Sequence, residues 1–150
     1  MIVHVYSIVR NQSVIMPYFL RHYSFADKIA IYDDKSTDNT RDIVRAYPNV
    51  SLLDYVGSGI DDIRFLEIFT ASYLSSRGKA DWVICVDADE FVYHPSGTKQ
   101  FLQSRLSRPL TALKCHGLSM VSSTLPTTTR QIYDEIKTGE RSGAFDKTIT

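Results

Sequence analysis

Trp82-Val83-Ile84-Cys85-Val86 sets five apolar residues side by side with no polar alternation. A strand wetted on one face alternates. An unbroken run rich in β-branched and aromatic residues reads instead as a strand covered on both faces, the pattern of parallel sheets packed between helices. The run stops at Asp87-Ala88-Asp89-Glu90-Phe91, so three carboxylates stand at the exit of a buried strand. In open α/β sheets ligands bind outside the carboxyl ends of the strands. A divalent cation is the ligand that most directly offsets the acids' mutual repulsion, and a solvated acidic turn is the plainer alternative.

The rest of the chain alternates strand and helix signals. Ile2 to Val9 predicts a first strand, with Asn11 or Ser13 able to cap a helix running to about Tyr23 and Pro17 in its first turn. Lys28 to Tyr32 predicts a second strand, followed by the polar block Asp33 to Thr40 and a helix to about Ala46 that Thr37 or Asp38 can cap. Val50 to Val56 predicts a third strand. Ser58-Gly59-Ile60-Asp61 has capping-box spacing ahead of a long helix in which Ile60, Ile63, Leu66, Phe69, Tyr73 and Leu74 recur at near-helical intervals, ending near Gly78. After the acidic strand come a short helix over about Lys99 to Leu106, a strand from Leu110 to Cys115, a long loop from Gly117 to Arg130 and a final strand-like Asp146 to Thr150. Repeated strand-helix-strand units predict an α/β domain with a mostly parallel sheet and helices on both faces.

A chain of 150 residues is long enough for one domain with a real core. Its 17 basic and 17 acidic side chains balance, which argues against a nucleic-acid surface or a polybasic membrane anchor. Cys85 and Cys115 lie in apolar runs and read as small buried hydrophobes in a reducing compartment, with a disulfide the minor alternative. No segment approaches the length of a transmembrane helix, and the expected location is the cytoplasm, with peripheral association at the inner membrane face allowed.

Polar residues also follow the first two strands, as Arg10-Asn11-Gln12 and Asp33-Asp34. Three strands thus exit into polar groups at one end of the sheet, which implies a crevice. No Gly-x-Gly-x-x-Gly follows the first strand and no Walker loop is present, so dehydrogenase and P-loop chemistry are disfavoured. The neighbouring polar residues also have plainer readings: Asp33, Ser36 and Asp38 as turn and cap residues, Asp61 and Asp62 as stabilisers of a helix N-terminus with a place facing a ligand as the alternative, and His22 packed and hydrogen bonded. His94 and His116 fall near the supposed crevice as metal or phosphate contacts or as structural groups.

Val9-Arg10-Asn11-Gln12 with Tyr18 to Tyr23, the block Ile31 to Thr40, and Trp82 to Phe91 together resemble the family-2-like glycosyltransferases of the GT-A fold, in the branch with an Asp-x-Asp-Glu-Phe motif. The resemblance implies a GT-A-like, Rossmann-like α/β fold. It further implies a metal-dependent transfer of a sugar, hexosyltransferase-like and with inversion, from a nucleoside-diphosphate sugar such as a UDP-sugar to a hydroxyl of a glycan or lipid-linked acceptor, as in polysaccharide biosynthesis. On that basis Ser7, Val9 and Arg10 line the nucleoside, and Asp34 bonds the base. Asp87 holds the ribose or a metal-bound water, and Asp89 ligates Mn²⁺ or Mg²⁺. The chemistry has a use for that metal, because departure of a nucleoside diphosphate builds negative charge that an oxygen-ligated cation neutralises.

An inverting transfer also needs a carboxylate to take the acceptor's proton. The candidates are Asp134 and Glu135, with Glu140 behind them, beside the amphipathic Ile132, Tyr133 and Ile136. Members of the family usually continue past the point where this chain stops, so residues 1–150 are expected to form a single nucleotide-sugar-binding domain incomplete on its acceptor side. A noncatalytic nucleotide-sugar or glycan-binding module of the same fold is the alternative. A phosphatase using Asp87 as nucleophile is disfavoured, because such enzymes place the acid pair after their first strand.

Overall fold

A computed structural model describes residues 1–55, 57, 61–127, 129–141 and 146–150. Four strands, β1 (Val3–Val9), β2 (Lys28–Asp33), β3 (Val50–Asp54) and β4 (Trp82–Cys85), form a parallel sheet in the order β3-β2-β1-β4. The register pairs Val9 with Asp33, Asp33 with Asp54, and Tyr6 with Cys85, so all four exits open on one edge. The helices are α1 (Met16–His22), α2 (Thr40–Arg45), α3 (Asp62–Ser76), α4 (Thr98–Arg105) and α5 (Ile132–Glu135).

Side chains of successive strand residues point to opposite faces, and this divides the core in two. Val3, Val5, Val9, Ile29, Ile31 and Ile84 face Met16, Phe19 and Leu20 of α1, Val44 of α2 and Leu102 of α4. On the other face Tyr6, Ala30 and Val83 meet Phe69, and Ile8 and Tyr55 meet Phe65 and Ile68, all three helical residues belonging to α3. Both faces are therefore covered, as the uninterrupted apolar run of β4 demands. Each fully buried aliphatic or aromatic side chain contributes about 1.5–3 kcal/mol.

Several details depart from the sequence reading. Ile15 occupies the N-cap of α1 with no side-chain cap, because Asn11 and Ser13 are engaged elsewhere. On α3 the residues that face the sheet are Phe65, Ile68, Phe69, Ser72 and Ser76, whereas Ile63, Leu66 and Leu74 are exposed. Small serines at two contact positions let the helix sit close to the sheet, and they hide its buried stripe from a reading of apolar residues alone. The expected capping-box residues Ser58, Gly59 and Ile60, and Val56 of the third strand, lie outside the described residues. Leu118–Val121, expected as loop, form β6 and pair antiparallel with β7 (Thr138–Arg141). The strand expected over Leu110 to Cys115 shortens to β5, Leu113–Cys115.

The expected terminal strand is present as β8 (Lys147–Ile149), antiparallel to β5. Thr150 and Val83 exchange backbone hydrogen bonds, so this segment carries the main sheet past β4. Cys85 and Cys115 are unpaired thiols, half-buried rather than fully buried, with their acidities reduced by burial. Among the described residues no helix is long and apolar enough to cross a membrane.

His22 is packed and bonded as expected. Its Nε2 donates to the Val92 carbonyl at 3.0 Å, which leaves Nδ1 to accept from the Tyr133 hydroxyl at 3.2 Å. Burial lowers its pKa to about 4, against the opposing pull of the Val92 hydrogen bond. A histidine harder to protonate folded than unfolded costs stability as pH falls, because the unfolded chain takes up the proton first. Stability is therefore expected to decline between pH 6.5 and pH 4 by up to about 3 kcal/mol. Urea unfolding midpoints across that range check this, and His22→Phe should flatten the profile.

Candidate functional site at the strand exits

The first two exits are stitched together by the polar residues that follow them. The Asn11 backbone N–H donates to Ser36 Oγ at 2.8 Å, and Asn11 Oδ1 accepts from the Thr37 N–H at 2.7 Å. Gln12 N–H reaches Thr40 Oγ1 at 2.7 Å, and Ser13 N–H reaches Asp38 Oδ2 at 3.0 Å. Asn11 and Lys35 both sit at positive φ, 52° and 51°, where the chain turns out of each strand. Asp38 also accepts from the backbone and side chain of Thr40. Burial pulls its pKa upward, but the hydrogen bonds from Thr40 and Ser13 outweigh that and hold the carboxyl well below its usual range. Ser36, Thr37, Asp38 and Thr40 thus fix the shape of the edge.

Asp33 and Asp34 divide the work at the end of β2. Asp33 has a fully buried side chain, accepts from the Arg41 guanidinium at 2.7 Å and from the Ser36 N–H at 3.1 Å. Arg41 reaches on to Asp54 at 2.9 Å and so ties the β2 exit to the β3 exit. Asp34 turns the other way. Its Oδ2 lies 3.4 Å from Arg10, whose side chain is 59% exposed, and its backbone N–H donates to the Val9 carbonyl. Arg10 and Asp34 therefore form a polar pair at the strand exits, with the arginine exposed and the Asp34 side chain buried. Ser7 and Val9, expected to line the nucleoside, are buried whole in β1, and neither is open at the edge. Among the described residues Ser7 Oγ has no hydrogen-bond partner.

The acidic turn follows β4. Glu90 Oε2 accepts the Asp87 N–H at 3.0 Å, and the Glu90 N–H donates to the Asp87 carbonyl, closing a turn with Ala88 buried inside it and Asp89 exposed at its tip. Tyr23, wholly buried beneath, donates its hydroxyl to the Glu90 carbonyl and accepts from the Val92 N–H, both at 3.0 Å. Thr98 Oγ1 and His22 hold the Val92 carbonyl from the far side. Phe91 packs its ring against His22 and Tyr133. Removing the Tyr23 hydroxyl leaves a buried carbonyl and N–H unpaired, so Tyr23→Phe should cost about 1–3 kcal/mol in denaturant unfolding.

Lys147 of β8 reaches the same turn. Its ammonium lies 3.2 Å from Glu90 Oε1 and 3.9 Å from Asp87 Oδ2. Neither Lys147 nor Tyr23 was visible as a site residue in the sequence, because both arrive through contacts with residues far along the chain. His94 and His116 are turned to other tasks. His94 stacks on Phe101 and bonds Ser96, and His116 accepts from Arg141 beside Asp146.

Among the described residues no cluster of three or more histidine, cysteine, aspartate or glutamate side chains is gathered to hold a metal by protein ligands alone. The turn nonetheless offers the donors a hard cation uses. Asp87 is half-exposed and Asp89 is exposed, both in the turn that follows β4. One or two carboxylates completed by substrate phosphates and water is the mode Mg²⁺ prefers. Of the candidate bases, Glu135 accepts from Thr127 N–H and Oγ1 at 2.9 and 2.5 Å, and these bonds hold its carboxyl below the usual range. Asp134 is exposed on α5, and Glu140 is exposed on β7.

No protein-family model matches the chain, and no curated protein matches its sequence. Its fold does have solved counterparts. Glucosyl-3-phosphoglycerate synthase from Mycobacterium tuberculosis, crystallised with Mn²⁺, uridine diphosphate and phosphoglyceric acid, superposes with a TM-score of 0.51 at 16% identity over 72% of this chain and 40% of its own. Mannosyl-3-phosphoglycerate synthase from Rubrobacter xylanophilus gives 0.51 at 15% identity over 73% and 38%. A 4-diphosphocytidyl-2C-methyl-D-erythritol synthase gives 0.52 at 9% identity over 99% and 74%. The chain spans about two fifths of the length of the first two. The architecture is thus an α/β fold of the GT-A-like, Rossmann-like kind, with its polar strand exits gathered on one edge of a parallel sheet.

Proposed function

We propose that residues 1–150 form the nucleotide-sugar-binding domain of a metal-dependent glycosyltransferase, moving a hexose from a nucleoside-diphosphate donor, with UDP the first candidate, to a hydroxyl of a glycan or lipid-linked acceptor. One observation carries the reading: Arg10 and Asp34 at the β1 and β2 exits share a sheet edge with the Asp87–Glu90 turn at the β4 exit. That edge supplies polar groups for a nucleoside at one end and carboxylates for a cation and diphosphate at the other. The likeness to structures holding UDP and Mn²⁺ supports the same assignment. In this reading Asp34 and Arg10 orient the nucleoside, Asp87 and Asp89 hold Mn²⁺ or Mg²⁺, and Glu90 with Tyr23 keeps the turn in shape. The bound cation would neutralise the charge that grows on the departing diphosphate.

A second reading is a binding module without turnover. The hydrogen bonds from Thr127 to both Glu135 oxygens favour it, since they hold the carboxyl below its usual range and make it a weaker acceptor for a proton. Incubation with UDP- and GDP-sugars, Mn²⁺ and a panel of glycan and glycolipid acceptors separates the two. Acceptor-dependent release of nucleoside diphosphate supports the transferase. Donor binding without any release supports the module.

A further inference from the structure

Lys147 is the cation that the structure itself places on the acidic turn. Thr150 pairs with Val83, and continuing that antiparallel register sets Lys147 opposite Val86, one residue before Asp87. Its ammonium then spans Glu90 and Asp87 at 3.2 and 3.9 Å. The turn carries three carboxylates, at Asp87, Asp89 and Glu90, against this one ammonium. Arg10 and Arg41 at the neighbouring exits are paired, Arg10 with Asp34 and Arg41 with Asp33 and Asp54. Both the lysine and Asp87 are open to solvent, with side chains 39% and 51% exposed, so their contact is weakly held and readily exchanged. A lysine ammonium is a point charge with three donors on a flexible stem, suited to following a phosphate.

We infer that Lys147 is a phosphate-binding residue of this site, its ammonium engaging the terminal phosphate of the nucleoside diphosphate while Glu90 steadies it from behind. The inference rests on the donor site proposed above. With Asp87 and Asp89 committed to a cation, the Lys147 charge is left to Glu90 and to the anion lying over the turn. A lysine that merely tethered β8 to Glu90 would affect stability, and would affect nucleoside monophosphates and diphosphates alike.

Calorimetry with UDP against UMP, and GDP against GMP, at fixed Mn²⁺ tests this on wild type, Lys147→Met and Lys147→Arg, with thermal melting of each. The expected result is a loss of about tenfold or more in diphosphate affinity for Lys147→Met, with monophosphate affinity changed by less than about twofold and most of the loss restored by Lys147→Arg. Equal losses for both nucleotides, or an unchanged diphosphate affinity in a wild type that binds it, overturns the role of Lys147. Absence of any nucleotide binding by wild type overturns the donor site instead, and the inference with it.

Discussion

Arg41→Met is expected to lower the melting temperature by roughly 10 °C, the largest single effect on stability. The reason lies in its partner. Asp33 is fully buried at the end of β2, and the Arg41 guanidinium at 2.7 Å is the charge that balances it. Breaking a buried pair from one side strands the other charge in a poorly solvating place, and that penalty exceeds the net worth of the pair. Among the described residues the Asp33 carboxylate would then keep the Ser36 N–H alone. The second arm of the same arginine makes a useful control. Asp54 is 77% exposed, so Asp54→Ala removes a 2.9 Å contact that water largely replaces and should shift the melting temperature by no more than about 2 °C. Adding Asp33→Asn to Arg41→Met should recover part of the loss, since a neutral amide is less costly to bury than an unpaired carboxylate. Melting curves of the four proteins check the set.

Asp89→Ala is expected to have the opposite profile, a large effect on binding and none on folding. The side chain is exposed at the tip of the turn, and among the described residues it makes no hydrogen bond or ion pair. Its melting temperature should match wild type. Changes to groups that merely support metal ligands commonly cost 10–100-fold in affinity, so loss of a carboxylate ligand itself should weaken Mn²⁺-supported nucleotide binding by more than about 100-fold. Asp87→Ala should cost less selectively, because Asp87 also meets Lys147. Titrations of both variants with UDP and Mn²⁺, beside their melting curves, check the contrast.

What could be read from sequence tracks the range of the contacts involved. The unbroken run of β4 and the polar residues after β1 and β2 are local features, and they located the parallel sheet and its polar edge. The role of the Asp33–Thr40 block was only half legible. Turn duties for Asp33, Ser36 and Asp38 follow from residue type, but the N-cap of α2 is Asn39 without a side-chain cap rather than Thr37 or Asp38, and the bonds of Ser36, Thr37 and Asp38 to Asn11 and Ser13 depend on two loops meeting across the sheet. Tyr23 and Lys147 were missed for the same reason, each reaching the acidic turn from a distant element. The buried face of α3 was misread because Ser72 and Ser76, not larger apolar residues, complete its contact stripe. The β6–β7 pair is hidden because the Ser-Ser-Thr and Thr-Thr-Thr runs that follow β6 read as loop, while its pairing comes from β7, a distant segment.

In the proposed donor site Arg10, Asp34, Asp87 and Asp89 act together on one nucleoside diphosphate and its metal. Isothermal titration of the wild-type chain with UDP and with GDP, each with Mn²⁺ and with a chelator, tests it most directly. One of these nucleotides is expected to bind saturably with Mn²⁺, and the chelator is expected to abolish that binding. Binding that ignores the metal, or no binding of either nucleotide under either condition, would contradict it.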